Sequence, residues 1–342
     1  MSKKQFEAIV PSNIAFLKYW GKTDEDRQWP ANDSLSMTLS DLHTKTVCEV
    51  ISDSEHRVIL NGSEVDRDHK AGAKIFKHLD FLKTALGSTS CLSIKTENSF
   101  PTGCGIASSA SGLGALTLAA VAAWLDANHL DQLSELGFPA ERLADLARMG
   151  SGSAFRSFMG GVVQWHRGED PSKQNVSAPF NHNHWPLMDS VVLFSQAEKS
   201  VGSTEAHRAA WSSPMFAPRL AAVEDRLDAM KDAIDNRDMR TLGPLLEQET
   251  LEMHSVIMSA ETPVRYFDKE TGDFLAWIRQ QRRDLDLPVY FTLDAGPNVH
   301  LIYENHLHER VLELLHSRIP AENILSDHMG AGPSLTIRPE EV

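Results

Sequence analysis

The chain has 342 residues, of which 42% are hydrophobic and 23% are charged. This composition is typical of a folded globular protein and excludes a disordered or fibrous chain. The formal net charge is −14 at pH 7 and no run is rich in Lys and Arg, so we expect no nucleic-acid partner.

The cysteine content indicates the compartment. The three cysteines, Cys48, Cys91 and Cys104, are widely spaced and form no Cys-x-x-Cys pair. An odd set of this kind argues against a disulfide framework or a structural zinc site, and it predicts a cytoplasmic protein. The N-terminus lacks the apolar stretch of a signal peptide, and we expect no apolar run long enough to span a membrane.

Strand-like and helical patterns are mixed along the chain, and no internal repeat is present. Short runs bounded by Gly, Pro, Asn or Asp predict eight strands, at Glu7–Val10, Thr46–Ile51, Val58–Leu60, Cys91–Thr96, Gly161–His166, Asp189–Phe194, Val289–Leu293 and His300–Tyr303. Helical spacing of apolar residues predicts helices at Ile106–Asn128, Ala140–Met149, Pro214–Ile234, Met239–Met258 and Asp273–Arg283. The first of these helices is rich in Ala and Leu and nearly free of charge, so we expect it to be buried on most sides.

The stretch from Gly168 to Pro186 is rich in Pro, Asn, Ser and His and shows no period. It is the best candidate for a long connection between two halves of the chain. We therefore predict an N-terminal domain at residues 1–186 and a C-terminal domain at residues 187–342. A long surface loop inside one domain is the alternative.

A Gly/Ser-rich segment, SFPTGCGIASSASGLGA at residues 99–115, lies between a predicted strand and the buried helix. Ser108, Ser109 and Ser111 fall in what should be the first turns of that helix. A helix N-terminus concentrates unpaired N–H groups and positive dipole, which suits a phosphate. The segment matches neither the P-loop nor the dinucleotide fingerprint, and a tight turn of small residues is an equally good interpretation of it alone.

Three further segments favour a phosphate site over a simple tight turn. Residues 13–22 read NIAFLKYWGK and place two lysines in an apolar stretch, where a lysine either reaches water or meets an anion. Residues 151–156 read SGSAFR and combine two hydroxyls with a guanidinium, which suits a phosphate or a carboxylate, although a helix cap and a surface arginine would look the same. Residues 291–298 read FTLDAGPN, with an Asp at a strand end, where a turn former or a general base can stand.

Together these segments resemble the GHMP kinase superfamily, and within it the mevalonate diphosphate decarboxylases. PTGCGIASSA at residues 101–110 is similar to the phosphate-loop motif PxxxGLxSSA of the superfamily. The chain also contains KYWGK and PANDSLSMTLS before this motif and GSGSAFRS and DAGPN after it, which is the order that the family has. The resemblance extends from Val10 to about Glu304.

The resemblance implies a fold and a reaction. The fold is α/β (α+β) with two domains, an N-terminal half like the second domain of ribosomal protein S5 and a ferredoxin-like C-terminal half, with the active site between them. The reaction is the ATP-dependent decarboxylation of (R)-mevalonate 5-diphosphate to isopentenyl diphosphate, with ADP, phosphate and CO2 as the other products and Mg2+ as the metal. We also expect a homodimer, a common state for proteins of this size.

The resemblance also implies the site residues. The catalytic residues would be Asp294, Lys18, Arg156 and Ser153. The substrate-binding residues would be Asn13, Tyr19, Lys22, Ser151 and Ser203. The ATP-binding residues would be Pro101, Gly103, Gly105, Ser108 and Ser109, with Ser109 also at the metal.

Each main role has a chemical reason. Asp294 would accept the proton of the C3 hydroxyl, and Lys18 would keep that carboxylate ionised. Arg156 suits the substrate carboxylate because a guanidinium can bind it with two hydrogen bonds. Asn13 would help to position the catalytic groups. His254 is expected to be a packing residue within a helix.

The sequence departs from the family pattern around residues 202–208. Gly202 stands where the family often has a serine, and Ala206 and His207 replace the usual Gly-Met pair before Arg208. These changes put recognition of the distal phosphate in doubt. A decarboxylase of mevalonate 5-phosphate, or a kinase that phosphorylates C3 without decarboxylation, is therefore the alternative, and an inactive protein that keeps the fold is a more distant one.

Overall fold

The computed structural model describes residues 4–100, 108–170, 175–181, 183–195 and 202–338. Its strands are β1 (Gln5–Leu17), β2 (Lys22–Asp24), β3 (Trp29–Pro30), β4 (Ser34–Ile51), β5 (Arg57–Leu60), β6 (Ser63–Val65), β7 (Cys91–Asn98), β8 (Val162–His166), β9 (Asn175–Phe180), β10 (Leu187–Val192), β11 (Tyr290–Thr292), β12 (Val299–Glu304), β13 (Ile324–His328) and β14 (Ser334–Arg338). Its α-helices are α1 (Lys70–Leu86), α2 (Ser108–Leu125), α3 (Leu130–Glu135), α4 (Ala140–Gly150), α5 (Ser203–Ala209), α6 (Phe216–Asp235), α7 (Met239–Met258), α8 (Lys269–Asp284) and α9 (His308–His316).

A large sheet has the strand order β14-β1-β4-β7-β5-β6, and β8 and β9 extend it beside the first part of β4. Strand β1 pairs antiparallel with β4, but its register shifts between Pro11 and Asn13 and again between Ala15 and Leu17. Such irregularities turn side chains away from the regular alternation of a strand. They lie immediately before Lys18, so the end of β1 delivers this lysine out of the sheet.

Helix α2 packs against β1 and β4 in the first core. By length and composition it could cross a membrane, with a mean hydropathy of 1.4 over 18 residues, which corrects the expectation that no such run exists. Since 72% of that window is buried inside the protein, the helix serves as a core element. A Cβ at Gly114 would come within 2.9 Å of Val10, so this glycine permits the close approach of helix and strand.

A second, antiparallel sheet has the order β11-β12-β10-β13. One face packs on α8 and α9. The other face meets α6, α7 and the ends of β1 and β4 in a shared core, whose members include Ile14, Phe16, Leu35, Leu187, Val191, Val223, Met230 and Ile302. This arrangement brings β11 and α7 beside the irregular end of β1.

The eight predicted strands and five predicted helices are confirmed in position, and most ends shift by only a few residues. The exceptions are the strand predicted at Glu7–Val10, which continues to Leu17, and the strand predicted at Thr46–Ile51, which already begins at Ser34. The stretch from Gly168 to Pro186, for which no strand was predicted, contains β9, which pairs with β8. Strand β14, close to the C-terminus, returns to the large sheet and pairs with β1. The domain boundary at residue 186 stays a prediction.

Candidate active site

A pocket of about 810 Å3, counting its open mouth, lies where β1, α7 and the turn after β11 meet. Its lining comes from the end of β1, the first turns of α1 and α2, the short helix Gly152–Ser157, α5, α7 and the turn after β11. The lining residues include Lys18, Tyr19, Trp20, Lys22, Lys74, Ser109, Ser151, Ser153, Arg156, His207 and Asp294. Residues that are far apart in the sequence thus share one cleft.

An ion pair between Lys18 and Asp294 lies in this pocket. The Lys18 Nζ is 2.8 Å from Asp294 Oδ1 and donates a second hydrogen bond, also of 2.8 Å, to the carbonyl oxygen of Ala15. The Lys18 side chain is buried, whereas the Asp294 side chain is 25% exposed. The carboxylate therefore keeps an open side toward a ligand.

The ionisation of this pair follows from its surroundings. Burial would raise the pKa of the Asp294 carboxyl, but the charge and hydrogen bond of Lys18 outweigh it and hold the pKa below its ordinary value. Burial lowers the pKa of Lys18, although the charges of Asp294 and Glu249 oppose this effect. Asp294 is thus an ionised carboxylate at neutral pH, ready to accept a proton.

A rigid arginine forms another wall of the pocket. Arg156 is buried, and its two terminal nitrogens donate to Ser34 Oγ at 2.9 Å and to Asn13 Oδ1 at 3.2 Å. Asn13 is itself held, because its Nδ2 donates to Ser157 Oγ at 2.9 Å. The Nε of Arg156 has no hydrogen-bond partner among the described residues, and burial lowers the pKa of the guanidinium to about 10.

Three hydroxyls form a row beside the start of α2. Ser151 Oγ lies 3.2 Å from Ser109 Oγ and 3.3 Å from Ser153 Oγ. Ser108 and Ser109 are the first residues of α2, so the row stands at the positive end of an 18-residue helix. This is a suitable place for the oxygen atoms of a phosphate.

An aromatic wall supports the turn after β1. The ring of His207 stacks on Trp20 with a centroid distance of 4.3 Å and packs against Tyr19 at 4.6 Å. The backbone N–H of Gly21, a residue with φ of +81°, donates to His207 Nδ1 at 3.1 Å. Burial and the nearby cations hold the pKa of His207 well below its ordinary value, so this imidazole is neutral.

The pocket is strongly cationic. Among its described lining residues are four basic side chains, Lys18, Lys22, Lys74 and Arg156, and one carboxylate, Asp294. Burial lowers the pKa of Lys22 to about 8, although the charge of Glu25 opposes this effect. A ligand with several negative charges would fit this environment, even though the whole chain is acidic.

Comparison with known proteins identifies the family. The model of the diphosphomevalonate decarboxylase-like N-terminal domain matches residues 10–178, and that of the mevalonate 5-diphosphate decarboxylase C-terminal domain matches residues 190–340. The diphosphomevalonate decarboxylase of Aspergillus fumigatus is 36% identical over 314 residues, which cover 86% of this chain and 75% of that protein. The chain belongs to the diphosphomevalonate decarboxylase family.

Solved structures agree with this assignment. The mevalonate diphosphate decarboxylase from Staphylococcus aureus has a TM-score of 0.88 at 30% identity, covering 98% of each chain. A complex described as MDDEF with MVAPP, AMPPCP and magnesium has a TM-score of 0.88 at 31% identity, covering 99% of this chain and 100% of that one. The predicted fold class, a two-domain GHMP kinase fold, is therefore confirmed.

Most of the residues predicted from the decarboxylase resemblance meet in the pocket. The lining contains Asp294, Lys18, Arg156, Ser153, Tyr19, Lys22, Ser151 and Ser109. Asn13 does not line the pocket, but it accepts a hydrogen bond from Arg156, which does. Pro101, Gly103 and Gly105 lie outside the described residues, as does the side chain of Ser203, whose backbone begins α5.

Other residues differ from expectation or were not predicted. Ser111, expected to add a phosphate donor, is buried and bonded to Thr44, with its oxygen 2.8 Å from the Thr44 hydroxyl. Lys74 lines the pocket but was missed because α1 was not predicted, although Phe76, Leu79 and Leu82 have helical spacing. His254 packs against Phe267, with ring centroids 5.0 Å apart, as expected of a packing residue.

Proposed function

We propose that this protein catalyses the ATP-dependent decarboxylation of (R)-mevalonate 5-diphosphate to isopentenyl diphosphate, with release of ADP, phosphate and CO2. The observation that carries the proposal is the buried ion pair of Lys18 and Asp294, 2.8 Å apart, at the centre of a cationic pocket. The family membership gives the same answer, since the relatives at 32–36% identity are named diphosphomevalonate decarboxylases.

Asp294 is the proposed base. Its ionised carboxylate accepts the proton of the tertiary C3 hydroxyl as this oxygen attacks the terminal phosphoryl group of ATP. Lys18 holds the carboxylate in place through the 2.8 Å contact, and its charge offsets the negative charge that develops on the reacting oxygen. A tertiary hydroxyl is a poor leaving group, and phosphorylation makes it a good one.

Arg156 is the proposed carboxylate ligand. Arg156 lines the pocket, and Ser34 and Asn13 accept hydrogen bonds from its terminal nitrogens, so the guanidinium is held in place for the substrate carboxylate. Loss of the C3 phosphate builds positive charge at C3, and CO2 leaves as its bonding electrons form the new double bond. By fixing the orientation of the substrate carboxylate, Arg156 aligns the bond that releases CO2 with the positive charge at C3. Ser153 lies beside the same reacting centre.

The remaining pocket residues fit the two phosphate groups. Tyr19, Lys22 and Ser151 are the proposed ligands of the substrate diphosphate, with Ser203 from the start of α5, and Lys74 adds a further cation there. ATP with Mg2+, when bound, supplies the phosphoryl group. Ser108 and Ser109 at the positive end of α2 would hold its phosphates, together with Pro101, Gly103 and Gly105 from the preceding segment of the sequence, and Ser109 would also stand at the metal.

A coupled assay tests this proposal. Purified protein with Mg-ATP is given either mevalonate 5-diphosphate or mevalonate 5-phosphate, and ADP and CO2 are measured together. We expect equal amounts of ADP and CO2 from the diphosphate. ADP without CO2 would mean a C3 kinase, and a preference for the monophosphate would move the assignment to a phosphomevalonate decarboxylase. Binding of ATP without turnover of either substrate would mean an inactive protein.

The cytoplasmic location and the homodimer remain proposals. Light scattering of the purified protein tests the second, since a homodimer would have twice the mass of the chain.

A further inference from the structure

Helix α7 touches both halves of the Lys18–Asp294 pair through two consecutive residues, Glu249 and Thr250. Neither residue lines the pocket, and neither belongs to the segments that carry the family resemblance. Both side chains are fully buried. Their contacts need an explanation, because a buried carboxylate is costly unless each of its oxygen atoms has a partner.

Glu249 holds the backbone at Lys18. Its Oε1 accepts the Lys18 backbone N–H at 3.0 Å, and its two oxygens form ion pairs with Arg219 and Arg226 of α6. Arg219 also donates to the carbonyl oxygen of Lys18 at 3.1 Å, and Asn32 donates to the same oxygen at 3.1 Å. Both peptide groups of Lys18 are thus fixed by one buried network that is anchored on α6 and α7.

Thr250 holds the other side of the pair. Its Oγ1 accepts the backbone N–H of Leu293, the residue before Asp294, at 3.3 Å. It also lies 3.1 Å from the hydroxyl of Thr292, which donates to the carbonyl oxygen of Ala15 at 3.3 Å. That carbonyl oxygen is the one that accepts the second hydrogen bond of Lys18. Hydrogen bonds from α7 therefore reach the backbone beside both members of the ion pair.

We infer that α7 sets the spacing of Lys18 and Asp294, with Glu249 and Thr250 as positioning residues for the reaction. This inference rests on the proposed function, because it assigns a purpose to that same pair. An error of about 1 Å in the placement of reacting groups can cost about a hundredfold in rate, so residues that fix both ends of the pair matter even without touching substrate.

The chain supplies a matched control for Glu249. Glu247 lies two residues earlier on α7, is also buried, and also pairs with two arginines, Arg279 at 2.7 Å and Arg282 at 2.6 Å. These contacts face α8 rather than Lys18. E247Q therefore reports the cost of disturbing a buried ion pair on this helix, and E249Q adds the loss at Lys18.

The experiment compares steady-state kinetics of E249Q and E247Q, and of T250V and T250S, in the coupled assay. We expect T250V and E249Q to lower kcat by roughly ten- to a hundredfold, with KM for both substrates changed by less than about threefold. T250S keeps the hydroxyl and should restore kcat to within about threefold of the parent. E247Q should lower the melting temperature and leave kcat within about twofold.

The pH profile separates positioning from general damage. Lys18 faces Asp294 after β11, Glu249 and His254 on α7, Arg156 on the short helix and Arg219 on α6. The charge of Glu249 raises the pKa of Lys18, so its loss in E249Q should lower that pKa. If kcat needs a charged Lys18, the fall of kcat at alkaline pH (the alkaline limb) should then begin at a lower pH. The limb should not move in E247Q.

Each outcome has a defined meaning. T250V and E249Q with kcat within threefold of the parent and an unmoved alkaline limb would overturn the inference, as would equal losses in T250S and T250V. If E249Q does not fold, the T250V and T250S pair decides the question alone. A parent protein with no turnover would instead overturn the proposed function and not the geometry described here.

Discussion

The carboxylate of Asp294 and the ammonium group of Lys18 are compatible with burial because each neutralises the other. Removing one partner of such a pair leaves an uncompensated charge, which costs about 3–5 kcal/mol when the pair is buried. Here Asp294 keeps one open side, and its 25% exposure lets water take part of that cost. A substitution at Asp294 can therefore be tolerated by the fold while it destroys the chemistry.

We predict that Asp294→Asn retains ATP binding and lowers kcat by about three orders of magnitude or more. The amide has nearly the size of the carboxylate, but it cannot accept the substrate proton and it does not neutralise Lys18. Titration calorimetry with ATP and the coupled assay measure the two effects. Turnover within tenfold of the parent would show that another group is the base.

The pKa of Lys22 predicts a pH dependence. Burial lowers that pKa to about 8, so in the free protein Lys22 carries its charge below pH 8 and loses it as the pH rises above 8. Since kcat/KM reports the free enzyme, kcat/KM for the diphosphate substrate should fall by about tenfold per pH unit above pH 8.

The matched variant is Lys22→Arg, which stays charged throughout this range. We expect its kcat/KM to remain level between pH 8 and pH 9, whatever its value at neutral pH. An equal fall in the variant and the parent would assign the titration to another group.

At the scale of elements, the sequence motifs identify many of the residues that line the pocket. Asp294 follows β11, which was predicted as a strand, whereas Lys18 and Lys22 lie beyond the predicted strand Glu7–Val10 and were recognised as lysines in an apolar stretch that resembles the family motif. Lys74 was missed because α1 was not predicted, although its buried residues Phe76, Leu79 and Leu82 have helical spacing. The support of the pair by α7 was also missed, since no local pattern shows which buried carboxylate meets a backbone N–H across the fold.

Strand β9 shows why one strand within the stretch from Gly168 to Pro186 was not predicted. Its sequence, NVSAPF, contains a proline and follows a stretch rich in polar residues, both of which indicate a loop. It forms a strand because it pairs with β8 at the edge of the sheet, where a proline is tolerated. Pairing of this kind depends on tertiary contacts that the local sequence does not encode.

Helix α7 can be tested as an element through its glycine. A Cβ at Gly243 would meet the ring of Tyr290 in β11 at 2.1 Å, so Gly243→Ala must push the helix away from the strand. We expect a loss of about 1–3 kcal/mol in the free energy of unfolding, as for other overpacked cores, together with a lower kcat. Urea denaturation and the coupled assay measure both.

The control is Gly272→Ala on α8, where a Cβ would meet nothing within 4 Å. Alanine is the better helix former, so this variant should gain about 0.5–1 kcal/mol and keep its kcat. Equal stabilities of the two variants would mean that α7 and β11 are not tightly packed.

At the scale of the whole molecule, charge is distributed unevenly. The chain carries −14 overall, while the described lining of the pocket has four basic side chains and one carboxylate. A cleft with walls of low dielectric concentrates the field of its own charges, so a local positive region persists inside an acidic protein. The pocket can therefore attract anionic ligands although the chain as a whole is acidic.

The two halves share one core, and this predicts how the chain unfolds. Ile14, Phe16, Leu35 and Met37 of the N-terminal half are buried against side chains of β10, β12, α6 and α7. Exposing four such side chains costs about 6–12 kcal/mol, which is comparable with the whole stability of a typical domain. A fragment of residues 1–186 also lacks β14, which pairs with β1.

We therefore predict that the full chain unfolds in a single transition, whereas the fragment 1–186 does not fold cooperatively and binds a hydrophobic dye. Circular dichroism and tryptophan fluorescence of the full chain in urea should give coincident curves, because loss of the shared core exposes both halves together. A fragment with a sharp transition and dispersed amide signals would show that the first core and its sheet suffice alone. Two separate transitions in the full chain would lead to the same conclusion, since the shared core would then add little to either half.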